Sequence, residues 1–355
     1  MSNPAPVSPI RADSPVQRIP VILLTGFLGS GKTTLLRELL STPAWADTAV
    51  LVNELGAVGL DHQLVWGASG ATLVLENGCV CCSARDDLVS ALETLFWQRL
   101  HRQIPRFARV IIETTGLANP GPIIRELFSH RLVAERYQLQ SVVTTVDAVL
   151  GDAQLGQHPE SLQQAASADL IFLTKTDLAT AEGADTLAAR LRQINPMARL
   201  TRTVAGAVSN EVWRDLLAAP VVHSRLMPRL DAAPVMRALL PPRRPAIVSH
   251  HDRVQTTVLH SRPPMSGHAL ERALRDTVKQ FGEQILRIKG MVSLEGESSP
   301  VLVQVVQTMV FPFERMGDKA GSDSFLVFIT MGLDTDALRA HFSWMALHTP
   351  GDPNI

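Results

Sequence analysis

Only three cysteines occur in the 355 residues, and all three fall between Cys79 and Cys82. An odd, clustered set cannot staple a fold, and near-adjacent cysteines are strained partners for one another. Clustered thiols of this kind act more often as ligands or redox groups in a reducing compartment. No stretch of 18 or more apolar residues appears, which excludes a membrane-spanning helix of ordinary length. The first twenty residues carry Pro4, Pro6, Pro9, Pro15 and Pro20 among polar neighbours. They lack the apolar core of a secretory signal, so residues 1–18 are expected to form a disordered tail on a cytoplasmic protein. Charge of one sign is also missing: 33 Lys and Arg balance 34 acids, for a formal net charge of -1. That removes any bulk electrostatic footprint for nucleic acid or an anionic membrane. No internal repeat is present.

What the chain does have is length for two cores, since domains run to about 100–200 residues each. Short apolar runs recur at Val21–Leu24, Ala49–Val52, Thr72–Leu75, Val110–Ile112, Val142–Val146 and Leu170–Leu173. Such runs suit strands buried on both faces. Helical stretches lie between them, for example Lys32–Leu40, Ala84–His101 and Thr186–Ile194. This alternation predicts an α/β fold with a mostly parallel sheet, over residues 19–222. The pattern breaks from Pro220 to Pro245, where Pro228, Pro234, Pro241 and Pro242 also fall, so residues 223–245 read as a Pro-rich linker. Residues 246–348 then offer strands at Thr256–His260, Gln284–Lys289, Val301–Met309 and Phe325–Thr330. Helices follow at Ala269–Phe281 and about Asp334–Met345, a small α+β domain.

Gly26-Phe27-Leu28-Gly29-Ser30-Gly31-Lys32-Thr33 fits the P-loop pattern, with a strand before it and a helix after it. Gly26, Gly29, Ser30 and Gly31 let backbone N–H groups curl around a phosphate, and the helix N-terminus adds a positive dipole end. Lys32 is expected to reach the β- and γ-phosphates, and the Thr33 hydroxyl, followed by Thr34, to ligate Mg²⁺. Further on, Leu170–Leu173 leads into Thr174-Lys175-Thr176-Asp177. A carboxylate there can accept both guanine N1–H and the exocyclic amine, a donor pair that adenine lacks, while the Lys175 stem lies along the base. Threonine stands first where GTPases usually have asparagine. Val110–Ile112 delivers Glu113-Thr114-Thr115-Gly116. In this fold Glu113 is a candidate for holding Mg²⁺-bound water or positioning the attacking water. Gly116 is a candidate for meeting the γ-phosphate with its N–H and moving when that phosphate leaves.

Glu76-Asn77-Gly78-Cys79-Val80-Cys81-Cys82-Ser83 lies between a strand and a helix. Ser83 and Asp86 resemble a capping box, which places the cysteines just before a helix N-terminus and favours their thiolate form. Two or three thiolates select zinc, Cu(I), cobalt or nickel over Mg²⁺ and Ca²⁺. Three sulfurs cannot close a four-thiolate site within one chain, and an incomplete site suits transfer or conditional binding. Inert buried cysteines and a redox pair remain the alternatives. His130, His158 and His223 are further ligand candidates, although no spacing singles them out. His250, His251 and His260 read as surface or core residues.

These motifs, in this order, resemble the CobW-like metal-handling P-loop GTPases. Asn53-Glu54-Leu55-Gly56, Asn77-Gly78-Cys79-Val80-Cys81-Cys82 and Glu113-Thr114-Thr115-Gly116-Leu117-Ala118-Asn119-Pro120 carry the likeness together with the P-loop and Thr174–Asp177. Pro120-Gly121-Pro122-Ile123-Ile124, Phe128-Ser129-His130 and Lys289-Gly290-Met291 are similar to its YjiA-like branch. The resemblance implies a Ras-like GTPase domain with a smaller α+β domain, slow GTP hydrolysis to GDP, and zinc, cobalt or nickel held by Cys79, Cys81 and Cys82. It also implies delivery of that metal to a client metalloprotein by a monomer or weak homodimer. The chain departs from relatives at Leu55 and Ala57, and at Val52, where the YjiA-like branch has an acid. The changes at Val52 and Ala57 remove carboxylates that an accessory metal site would use. The histidine-rich tract of some relatives is absent, which argues against storage. Two rivals stand beside this reading: a P-loop ATPase or kinase, and a metal buffer for which hydrolysis is incidental.

Overall fold

The computed structural model describes residues 18–52, 65–66, 73–76, 84–208, 211–212, 254–261, 264–316, 324–343 and 345–347. These fall into two compact units, the first holding the described residues up to 212 and the second those from 254 onward. The tail, the Asn53–Gly56 segment, the three cysteines, Ala57, His223, His250, His251 and the Pro-rich stretch lie outside the described residues.

The first unit is built on an eight-stranded sheet. Its strands are β1 (Ile19–Gly26), β2 (Thr48–Val52), β3 (Val65–Trp66), β4 (Leu73–Glu76), β5 (Arg109–Glu113), β6 (Tyr137–Asp147), β7 (Leu170–Thr174) and β8 (Arg199–Arg202). They run in the order β3-β4-β2-β5-β1-β6-β7-β8. Every pairing is parallel except the short β3–β4 contact. Parallel strands need covered faces, and the helices supply the cover. They are α1 (Lys32–Ser41), α2 (Ala84–Leu100), α3 (Pro120–Ser129), α4 (Arg131–Arg136), α5 (Gly151–Gln157), α6 (Pro159–Ser167) and α7 (Ala181–Ile194). On one face Leu35, Leu36 and Leu39 of α1 bury themselves against Ile22, Leu24, Val50, Ile111, Val143 and Phe172. Each such leucine contributes about 1.5–3 kcal/mol by leaving water. α6 packs against β1 and β6, and against α3.

Two cap choices in this unit follow directly from residue type. Asn119 accepts a hydrogen bond from Gly121 N (3.1 Å), with Pro120 starting α3. Thr180 accepts from Gly183 N (3.1 Å) at the start of α7. Both satisfy helix-start N–H groups that would otherwise lack a partner.

The second unit is a seven-stranded sheet of β9 (Val254–Ser261), β10 (Ile285–Val292), β11 (Val301–Val306), β12 (Met309–Val310), β13 (Glu314–Arg315), β14 (Ser324–Met331) and β15 (Ala346–Leu347). The order is β12-β11-β10-β14-β9-β15, with β13 on β11, and its pairings are antiparallel. Helix α8 (Gly267–Phe281) starts at Ser266, whose hydroxyl accepts from Ala269 N, and α9 (Thr335–His341) starts at Asp334. Leu270, Ala273, Leu274 and Thr277 recur at helical spacing and form the buried stripe of α8. The first three join Ile288, Val303, Val305, Leu326 and Phe328 in the core.

Two sequence expectations are corrected here. The single strand expected over Val301–Met309 is a tight hairpin of β11 and β12, because Gln307 adopts φ 48° and reverses the chain. The last helix stops at His341 rather than Met345, because Phe342 leaves helical geometry (φ -122°, ψ 36°) to bury its ring against Phe328 at 5.1 Å.

Gly290 sits in the central strand β10, between β11 and β14. A Cβ there would collide with the backbone oxygen of Phe325 and stand 2.9 Å from Leu326 Cα. Gly290→Ala is therefore expected to destabilise this unit by about 2–3 kcal/mol, as overpacking against backbone does. Urea unfolding checks this, and an unchanged midpoint would mean that β14 can shift freely.

Candidate functional site

The site gathers at the carboxyl ends of the central parallel strands, where open α/β sheets place their ligands. Gly26, Gly29 and Gly31 take φ values of 141°, 71° and 92°, which side chains with a Cβ rarely adopt. A Cβ on Gly26 would also strike Thr145 and Ser30 Oγ, while one on Gly29 would meet nothing within 4 Å. The loop thus packs tightly at its root and is open at its tip. Gly31 caps α1 with no side-chain hydrogen bond, and no acid occupies the first turn. The first turn therefore offers its N–H groups and dipole to an anion.

Lys32 is 9% exposed and donates from Nζ to Gly26 O (2.9 Å) and Phe27 O (3.2 Å), so its ammonium arches back over the loop. Thr33 Oγ1 donates to Glu113 Oε1 (2.7 Å), while Glu113 is 4% exposed at the end of β5. A hydroxyl beside a buried carboxylate is an all-oxygen donor set, the chemistry that suits Mg²⁺ rather than a thiophilic ion. Thr34 is exposed one position further along α1. It lies close to the turn after β8: a Cβ on Gly206 would meet its Cγ2 at 3.1 Å.

The loop after β5 is fastened to β1 and to the P-loop. Thr114 N donates to Leu24 O (2.9 Å), and Thr114 Oγ1 donates to Thr25 Oγ1 (2.9 Å). Gly116 lies against Leu28 so closely that a Cβ would stand 2.6 Å from Leu28 N. Only glycine allows that approach.

Thr174 has a role that its residue type makes clear. Its hydroxyl donates to Ser30 O (2.7 Å) and contacts Val146 O (3.1 Å), which straps the P-loop to the ends of β6 and β7. Ser30 Oγ and Thr145 Oγ1 add a second tie at 2.7 Å. Lys175, with φ 54°, donates to Asp147 Oδ2 (2.6 Å), and Asp147 Oδ1 accepts from Val149 N and Leu150 N. Asp177 is exposed and has no hydrogen-bond or ion-pair partner among the described residues. Thr176 Oγ1 donates to Thr203 O (2.9 Å), bringing the 203–207 turn beside it. Sequence reading missed Asp147, Thr145 and this turn. Their relevance comes from neighbours far along the chain, although the positive φ at Ala205 (48°) and Gly206 (82°) marks a tight turn.

Of the histidine candidates, His130 Nδ1 stands 3.4 Å from Glu93 Oε1. His158 instead stacks on Phe27 of the P-loop, with ring centroids 4.5 Å apart. No group of three or more His, Cys, Asp or Glu that could hold a metal stands together among the described residues. Val52 is half-buried and packs on the α1 cluster, in register with Glu113 of β5 and Glu76 of β4.

A glycine-hinged loop between a buried strand and a helix, with Lys32, Thr33–Glu113 and a Thr-Lys-x-Asp strand end, defines a P-loop GTPase. The chain belongs to the CobW/HypB/UreG family: residues 20–202 match the family's nucleotide-binding domain, and residues 254–345 match the cobalamin synthesis protein cobW C-terminal domain. It is 34% identical to "Zinc chaperone YjiA" of Escherichia coli strain K12 over 330 residues, 92% of this chain and 98% of that one. It is 28% identical to "Zinc chaperone CobW" of Pseudomonas aeruginosa over 363 residues, 90% of each chain. The crystal structure of Zn(II)-bound YjiA GTPase from E. coli is similar with a TM-score of 0.68 and 30% identity, over 93% of this chain and 100% of that one.

Proposed function

We propose that this protein is a Mg²⁺-dependent GTPase whose nucleotide state gates a thiolate site for zinc, delivering the ion to a client metalloprotein. Relatives named zinc chaperones favour zinc over cobalt or nickel as the cargo. In this reading residues 19–222 carry the nucleotide, and residues 246–348 form a smaller domain beyond the 223–245 linker. Gly26, Gly29, Ser30, Gly31 and Thr34 shape the phosphate cradle. Lys32 turns from its own loop carbonyls to the β- and γ-phosphates. Thr33 and Glu113 would hold Mg²⁺, which when bound would neutralise charge on the phosphates. Gly116 donates its N–H to the γ-phosphate. Water attacks the γ-phosphorus, the bond to the β–γ bridging oxygen breaks, and GDP and phosphate leave. Asp177 reads guanine, Lys175 lies along the base, and Thr174 holds the P-loop for both. Cys79, Cys81 and Cys82 take the cargo ion.

The observation that carries this reading is one of register. Glu76, Val52 and Glu113 form a row across three adjacent strands, so about 10 Å separates Glu76 from the Mg²⁺ candidate Glu113. Cys79 follows Glu76 by three residues, a span of at most about 11 Å. That short separation along the chain supports coupling between the thiol motif and the phosphate end of the site. Segments at this place order around the γ-phosphate in P-loop GTPases, and ordering one ligand loop lowers the entropic cost of assembling the other site.

Metal and nucleotide should therefore bind with positive coupling of about 1–3 kcal/mol, or about 5–150-fold, and linkage requires the metal to tighten GTP by the same factor. Chelator competition for Zn²⁺, with Mg²⁺ and either a non-hydrolysable GTP analogue or GDP, measures it. Identical zinc affinities in the two nucleotide states would sink the gating, and favour a metal buffer in which hydrolysis is incidental. Tight zinc binding by a Cys81→Ser, Cys82→Ser variant would move the site elsewhere.

A further inference from the structure

Helix α6 is not part of the nucleotide motifs, yet it touches both phosphate loops. Its capping residue His158 stacks on Phe27 of the P-loop. One and a half turns later Gln164, 1% exposed, sends its amide into the loop after β5. Gln164 Nε2 donates to Gly116 O (3.1 Å) and to Ala118 O (2.9 Å). Its backbone carbonyl accepts from Thr144 Oγ1 (2.9 Å), which fixes this turn of α6 to β6. Gly116 is therefore wedged between the Leu28 backbone on one side and the Gln164 amide on the other.

We propose that Gln164 is a positioning residue for sensing the γ-phosphate: its amide clamps the Gly116–Ala118 carbonyls so that the Gly116 N–H is held for that phosphate before nucleotide arrives. The inference rests on the reading of Gly116 given above. The physical reason is preorganisation. A loop that carries its donor on a flexible backbone must be ordered when the ligand binds, whereas a loop already bonded to a buried helix side chain is ordered beforehand. The clamp acts on a group that only a nucleoside triphosphate meets, so GDP binding is indifferent to it. A glutamine suits the task because its single NH₂ supplies two donors and can serve two carbonyls at once. Both bonds come from one buried side chain, so a single substitution removes them together.

The test uses the full chain with Gln164→Met, which keeps side-chain volume and removes both donors, and Gln164→Glu, which places a carboxylate against the two carbonyls. Thr144→Val serves as the structural comparator, because it deletes a buried hydrogen bond to the Gln164 backbone while leaving both amide donors in place. Affinities for GDP and for a non-hydrolysable GTP analogue are titrated with Mg²⁺, alongside kcat for GTP. In both Gln164 variants the analogue-to-GDP affinity ratio should fall about tenfold, the scale of an ordinary coupling between sites. GDP affinity should stay within about twofold and kcat should fall because the donor is no longer preorganised, while Thr144→Val lowers the melting temperature and leaves the ratio alone. Equal weakening of both nucleotides, or a wild-type ratio in the Gln164 variants, overturns the positioning role. Failure of the wild-type chain to bind the analogue at all overturns the Gly116 reading itself, and this inference with it.

Discussion

Lys32→Ala is expected to lower kcat for GTP hydrolysis by about 10²–10³-fold, the usual effect of removing one donor aimed at developing charge. The ammonium donates to two carbonyls of its own loop, Gly26 O and Phe27 O. The hydrophobic anchoring of α1 comes from Leu35, Leu36 and Leu39, which the substitution leaves in place. Activity should thus collapse while the unfolding midpoint moves little. Thr33→Ala should also abolish turnover, but with a larger stability loss of about 1–3 kcal/mol, because it removes a donor from the buried Glu113 carboxylate. Thr33→Ser restores that donor and should recover both properties. Wild-type turnover itself is expected to fall below the range of about 1–100 s⁻¹ typical of kinases, since no arginine finger is evident in the motifs. Steady-state hydrolysis with matched urea titrations decides the matter. Full activity in Lys32→Ala would remove the phosphate role from this loop.

The difference between what could and could not be read from the sequence follows the range of each interaction. Lys32 and Thr33 announce themselves because the P-loop is a local motif with a strand before it and a helix after it. The short apolar runs behave likewise, since burial on both faces leaves an unmistakable local composition. Thr174 is a harder case. The sequence records only a threonine where asparagine is usual, whereas the structure shows one hydroxyl meeting both Ser30 O and Val146 O. A strap that needs one short polar side chain between two carbonyls tolerates either residue. Gln164, Asp147 and Thr145 act through partners at least 28 positions away. No spacing rule exposes such residues, because only the packing of α6 on the sheet and the pairing of β6 with β1 and β7 bring them to the site. The hairpin at Gln307 is hidden for the opposite reason: apolar residues resume at Met309 after only Gln307 and Thr308, and the backbone angle reveals the turn.

Base selectivity gives the second large effect. Asp177 stands exposed at the end of the β7 segment, with no partner among the described residues, while neighbouring Lys175 is engaged by Asp147. A carboxylate so placed is available to accept both guanine N1–H and the exocyclic amine. Hydrogen bonds to a charged group are worth about 1.5–3 kcal/mol each, so losing the pair should weaken GTP by roughly 10²–10⁴-fold. Asp177→Asn does more than delete charge, because its amide offers one acceptor and one donor. Xanthine keeps the ring N–H but carries a carbonyl where guanine has its amine, so the variant should bind xanthosine triphosphate better than the wild-type chain does. The same reasoning sets wild-type preference for GTP over ATP at tenfold or more, about 1.4 kcal/mol. Folding should be indifferent to the change, since an exposed carboxylate without partners contributes little to stability. Titration of wild-type and Asp177→Asn protein with GTP, ATP and xanthosine triphosphate reads all three expectations. If ATP binds the wild-type chain as tightly as GTP, or the variant gains nothing for xanthosine triphosphate, Asp177 does not read the base. The strand-end carboxylate would then be a solvated acid, and the P-loop would serve an ATPase or kinase.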